Sequence, residues 1–223
     1  MDSEERVAFL EAAMARMLEP MKGVPFSIII RVLTGNEVIP FDEKKSGDAE
    51  LLRLIDKAAS LVCESLESNP IIRPRPNEVG NDMEPYVIDA FQAVGLDCER
   101  PQTKDGKGKT TGYPDILITN SSEVPTYVEC KVYSEDSKDT TFRAFYLSPS
   151  NQPKVTCDAR HLVLGFQHSS EPIGDEGSKA YKVVGYTLVD IRDLLCDMKY
   201  EFNASNRNLY GQGKILAQRM FYR

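Results

Sequence analysis

The sequence predicts an α/β (α+β) domain, with a small mixed central sheet flanked by helices and a mainly helical region ahead of it. Three observations carry this. Over the first third of the 223 residues, apolar side chains recur at three- and four-residue steps. Over the second half, short runs rich in β-branched and aromatic residues are separated by turn-forming stretches. A hydrophobic content of 41% against 27% charged residues is that of a chain with a real core, not of a disordered one.

Taken in order, Val7, Leu10, Met14, Met17 and Leu18 set a helical period from Glu4 to Leu18, and Pro20 stops it. Val24 to Leu33 is a short β-rich run. A second helix starts near Asp48, a residue suited to an N-cap, and carries Leu51, Leu52, Ile55, Ala59, Val62 and Leu66 on one face. These elements make up an N-terminal region, residues 1–70, and the remainder, 71–223, is the core domain. Prolines extend Asn69 to Pro76 into a connection. A helix then runs from about Asn81 to Val94. Val87, Ile88, Phe91 and Val94 form its stripe, Gly95 its stop, and Pro85 is tolerated only in its first turn. After a Gly- and Lys-rich loop from Arg100 to Thr110 come four strands: Pro114–Thr119, Thr126–Tyr133, His161–Gln167 and Tyr181–Leu188. A helix over Asp190–Met198 closes the pattern.

Charge and cysteine usage bound the function. The net charge is −7, which argues against a generically basic nucleic-acid binder, yet residues 1–70 hold 13 acidic and 8 basic side chains and so most of that excess. The start of the chain is acidic where a secretory signal is basic, and no apolar run approaches membrane-spanning length. Cys63, Cys98, Cys130, Cys157 and Cys196 form no CxxC pair, and only two histidines accompany them. Reduced thiols in a cytoplasmic protein with no membrane partner are therefore expected, without zinc or disulfides.

The chemistry is concentrated in Gly112–Asn120 and Thr126–Tyr133, two short strands joined by a polar turn. Asp115 opens the first. In the second, alternation puts Tyr127, Glu129, Lys131 and Tyr133 on one face and Val128, Cys130 and Val132 on the other. Two acids and a lysine on one rigid surface serve no packing purpose. Neighbouring carboxylates repel unless a cation lies between them, and a hard divalent ion with oxygen ligands, Mg²⁺, meets that need. Lys131 beside it can orient an attacking water or stabilise a phosphorane, so the group suits phosphodiester hydrolysis. The same acid-x-Lys spacing at Asp42, Glu43, Asp105 and Asp136 falls in polar, loop-like surroundings and reads as solvated charge.

Pro114-Asp115 followed by Glu129-Cys130-Lys131 resembles the PD-(D/E)XK nuclease superfamily and, within it, type II restriction endonucleases, over roughly residues 77–190. The resemblance implies a restriction-endonuclease-like core and Mg²⁺-dependent, sequence-specific cutting of double-stranded DNA. One such site cuts one strand, so a homodimer matching a palindromic target is expected, with the N-terminal helices as its surface. The resemblance also implies Asp115 and Glu129 as metal ligands, Lys131 as the catalytic cation, and an acid from the preceding helix to complete the metal site. Glu84, in that helix's first turn, is preferred to Glu78. Other nucleases of the fold, acting in repair, on junctions or on modified DNA, and a DNA-binding module with a degenerate core remain as alternatives.

For DNA contact the sequence offers Lys104, Lys107 and Lys109 on the Gly-rich loop, suited to phosphates. Two polar clusters have the side chains that read base edges, though the same residues also form turns. One comprises Arg143, Ser150, Asn151, Gln152 and Lys154; the other comprises Asn203, Asn206, Arg207 and Asn208. His161 opens an apolar strand and reads as structural.

Overall fold

The computed structural model describes residues 2–19, 21–108, 112–119, 124–137, 140, 145–173, 177–199 and 205. Contacts divide the chain into two units, Val24–Leu195 and Met1–Gly23 with Cys196–Arg223. In the smaller unit, α1 (Ser3–Met17) begins with a capping box. The Asp2 carboxylate accepts the Glu5 N–H at 2.8 Å, and the Glu5 carboxylate accepts the Asp2 N–H at 3.0 Å. None of its residues is buried.

The larger unit opens with a two-residue strand, β1 (Val24–Pro25), and then departs from the expected β-rich run: Phe26–Thr34 is a helix, α2. Phe26 and Ile30, four apart, are fully buried, while Ile28 and Val32 face solvent. A helical period was present inside a β-branched composition, and burial of that one face outweighed the weak strand propensity. Gly35, at φ +77°, ends the helix in the left-handed region.

Helix α3 (Ser46–Ser68) buries Leu51, Ile55, Ala58, Ala59, Val62 and Leu66 as its period requires. Asp48 is not its N-cap. It lies inside the helix, fully buried, accepting the Asp42 N–H at 2.8 Å and a hydrogen bond from the Arg160 guanidinium. The proline-bounded connection contains an edge strand, β2 (Ile71–Arg73), where the flanking prolines cost no ladder bonds. Helix α4 (Pro76–Ala93) starts earlier than expected, with Pro76 in its first turn. Pro85 is therefore inside the helix. It lies on the exposed side with Asn81, whose carbonyl water can satisfy, while Val79, Met83, Val87 and Phe91 face the core.

Five further strands are β3 (Cys98–Glu99), β4 (Ile116–Ile118), β5 (Thr126–Ser134), β6 (Arg160–Ile173) and β7 (Ser178–Asp190). The sheet order is β2-β7-β6-β5-β4-β3, antiparallel throughout except for the parallel pair β5–β6. Val128, Cys130, Leu162, Leu164, Phe166, Tyr181 and Val183 share a core with the buried faces of α3 and α4. The expected helix over Asp190–Met198 does not form. Asp190 accepts the Arg192 N–H at 2.9 Å, Leu194 N–H bonds the Ile191 carbonyl, and this turn leads into a short extended segment, Leu195–Cys196. Among the described residues no helix is long and apolar enough to cross a membrane.

Candidate active site

The site begins where the β4–β5 ladder ends. Ile116 pairs with Val128, so the next two register positions would set Asp115 against Glu129 and Pro114 against Cys130. The ladder stops at Ile116. The Cys130 N–H donates instead to Asp115 Oδ2, at 2.9 Å. A side-chain carboxylate thus takes the place of a backbone acceptor, which fixes Asp115 beside Glu129 on the interior strand β5.

The face of β5 is as the alternation requires. Cys130 and Val128 enter the core with α3 and α4, and Glu129 and Lys131 point to the opposite side. Glu129 is 6% exposed, and its Oε1 accepts a 2.6 Å hydrogen bond from Lys131 Nζ. Its Oε2 is buried with no hydrogen-bond partner. Lys131 is half-buried, with its ammonium 5.6 Å from the centroid of the Tyr146 ring. Burial, then the charge of Asp115, pushes the Glu129 carboxyl up to about 7 despite Lys131. Asp115 is raised by burial, against the pull of the Cys130 N–H and Lys131. Two largely desolvated acids side by side form a site in which one carboxylate oxygen is left unsatisfied.

Of the two helix acids, Glu84 is the one whose charge reaches Asp115, whereas Glu78 lies toward Arg73 and Tyr181. Glu84 falls in the third turn of α4, not its first, because the helix starts earlier. Its carboxylate accepts a hydrogen bond from Arg100. Among the described residues no three acid, histidine or cysteine side chains converge into a ready-made metal cage. Asp115 and Glu129 are brought together; Glu84 stands by, held by Arg100.

Behind the acids lies an aromatic cluster. Tyr113 and His161 share a 2.6 Å hydrogen bond, and Phe26 packs edge-on against both. Burial pushes the His161 imidazole down to about 3, so it is a neutral structural group, as its place in an apolar strand implies. Phe145 packs on Phe26 and Tyr113, while Tyr146 is 60% exposed rather than part of the core.

The expected DNA-contact residues divide by exposure. Lys104 and Lys107 are exposed on a tight loop in which Gln102 bridges Gly108. Ser150, Asn151 and Gln152 are exposed on the crossover between β5 and β6. Lys154, four residues past Ser150, is buried. Lys109, Arg143, Asn203, Asn206, Arg207 and Asn208 lie outside the described residues. The sequence reading missed Arg100 as the partner of Glu84 and Arg160 as the partner of Asp48. Both pairs join residues far apart in the chain, and no local pattern signals them.

A mixed sheet flanked by helices, with an Asp at the mouth of one strand and Glu-x-Lys on the next, is a restriction-endonuclease-like core. Type II restriction enzyme MjaV of Methanocaldococcus jannaschii is 34% identical over 234 residues, covering 98% of this chain and 99% of that protein. The model of the type II restriction enzyme MjaV family matches residues 20–213. The chain belongs to the type II restriction enzyme MjaV family, and it is a site-specific deoxyribonuclease.

Proposed function

We propose that the chain hydrolyses phosphodiester bonds of double-stranded DNA at a short specific sequence, with Mg²⁺ held by Asp115 and Glu129. The observation that carries this is the buried, unpartnered Glu129 Oε2 beside a second carboxylate, which a hard cation would satisfy. When bound, the ion would polarise the phosphate and acidify water.

The chain's own groups do the remaining work. The Cys130 N–H, just past the end of the β4–β5 ladder, orients Asp115. Lys131 stands one hydrogen bond from Glu129, where it can hold the attacking water and offset charge on the phosphate. Glu84 supports the cation through its charge on Asp115 once Arg100 turns toward DNA. Lys104 and Lys107 contact the phosphate backbone, and Ser150, Asn151 and Gln152 read base edges. Each site of this kind cuts one strand, so a two-fold dimer through the N-terminal helices matches a palindromic target.

The test is digestion of a plasmid of known sequence with Mg²⁺. Discrete fragments sharing one terminal sequence support the reading. A smear, nicking confined to damaged or branched DNA, or no cutting with Mg²⁺ or Mn²⁺ refutes it.

A further inference from the structure

Lys154 sits in a stretch whose preceding residues are exposed, yet it is not. Ser150, Asn151 and Gln152 are exposed, whereas Lys154 is 5% exposed. The segment that follows it is fastened to the face of β5 that carries the acids. The Thr156 N–H donates to the Tyr127 hydroxyl at 3.0 Å, and Asn36 Nδ2 donates to the Val155 carbonyl at 3.3 Å. Tyr127 lies two residues before Glu129 on the same face, and Tyr113, just ahead of Asp115, lines the same cavity as Lys154. Lys154 is thus held on the side of β5 that carries Asp115 and Glu129.

Burying an ammonium is costly, and packing alone would be better served by Met or Leu at this position. A second buried cation beside two acids makes sense where additional negative charge arrives and grows. We propose that Lys154 is a second catalytic cation, which donates from the crossover to a non-bridging oxygen of the scissile phosphodiester while Lys131 acts from the sheet. This rests on Asp115 and Glu129 being the hydrolytic centre. In the reaction the water oxygen bonds to phosphorus and the bond to the leaving sugar oxygen breaks. One water proton is lost to solvent and the leaving oxygen takes one up, while Lys154 keeps its protons and stabilises the charge in between.

The experiment uses the full chain and a cognate duplex identified by plasmid digestion. With Mg²⁺ and saturating enzyme, Lys154→Met should slow single-turnover cleavage by about 100-fold, and Lys154→Arg should retain more activity than Lys154→Met. With Ca²⁺, a neutral methylphosphonate at the scissile position should weaken wild-type binding about tenfold more than it weakens Lys154→Met binding, the metal and Lys131 being common to both. Equal penalties in the two proteins, or wild-type cleavage by Lys154→Met, overturn the assignment. If Lys154→Met melts below the assay temperature, Lys154→Gln is compared in its place with the same outcomes. A wild-type protein that cuts no DNA overturns the hydrolytic centre itself, whereas a cutting wild type with an indifferent Lys154 overturns only this role.

Discussion

Replacing Glu129 by Gln should make the protein more stable and unable to cut, and the gain should depend on pH in a set direction. The Glu129 carboxyl is moved from its ordinary 4.5 to about 7, chiefly by burial. A carboxyl raised on folding stabilises nothing once ionised: below pH 4.5 both folded and unfolded chains hold the proton, and the group is neutral to stability. Between pH 4.5 and about 7 the unfolded chain releases its proton while the folded chain keeps it, so stability falls over that window and levels off above it at a cost of about 3 kcal/mol. Gln fills the same volume and keeps an oxygen for the 2.6 Å hydrogen bond from Lys131. Removing this charge also removes a repulsion from Asp115. Urea unfolding in EDTA, followed by far-UV circular dichroism, should therefore find Glu129→Gln about 2–3 kcal/mol more stable than wild type at pH 8.5 and nearly equal at pH 4.5. Ca²⁺ should narrow the difference at pH 8.5 by stabilising only the wild type. Equal stability at pH 8.5, or a larger gain at pH 4.5, would refute the account of a strained, cation-seeking acid.

Other substitutions probe separate parts of the fold. Lys131→Ala should reduce cleavage by about 10²–10³-fold while specific DNA binding in Ca²⁺, measured by gel shift, stays within a few-fold of wild type. Lys131→Ala that still cuts at the wild-type rate would remove it from the mechanism. Asp136→Asn, on the exposed turn after β5, should cut at the wild-type rate, and an inactive variant would mean that the wrong acid-x-Lys had been chosen. Arg160→Met strands Asp48 as a lone buried carboxylate and removes a 2.8 Å hydrogen bond to the Val124 carbonyl, so urea unfolding should find about 3–5 kcal/mol lost. Adding Asp48→Leu to that variant should recover a large part of the loss, because no unpaired charge then remains inside.

The acids were legible in the sequence because their placement depends on local rules. A strand alternates its faces, which sorts Glu129 and Lys131 from Cys130, and Asp115 opens the strand that pairs beside them. The buried stripe of α3 was legible for the same reason. What was misread depended on distant partners. Phe26 and Ile30 became helical because a cluster built from Tyr113, Phe145 and His161 waited for them. Asp48 looked like a cap because its partner, Arg160, comes 112 residues later. The start of α4 was placed too late because Pro85 was assumed to need a first turn, when an exposed side of a helix tolerates it. Lys154 was grouped with its exposed neighbours, since nothing in its immediate sequence reveals that Tyr127 draws the following residues onto β5.

The link from the Cys130 amide to Asp115 ties the acid pair to an inner strand of the sheet. Strand β5 is an inner strand, paired on one side along its whole length and on the other as far as β4 extends. The Cys130 N–H lies past the last pair of the β4–β5 ladder and is held by a side chain, so its hydrogen–deuterium exchange reports release of Asp115 rather than unfolding of the sheet. The arrival of cation and DNA, by holding that carboxylate in place, should slow exchange at this one amide.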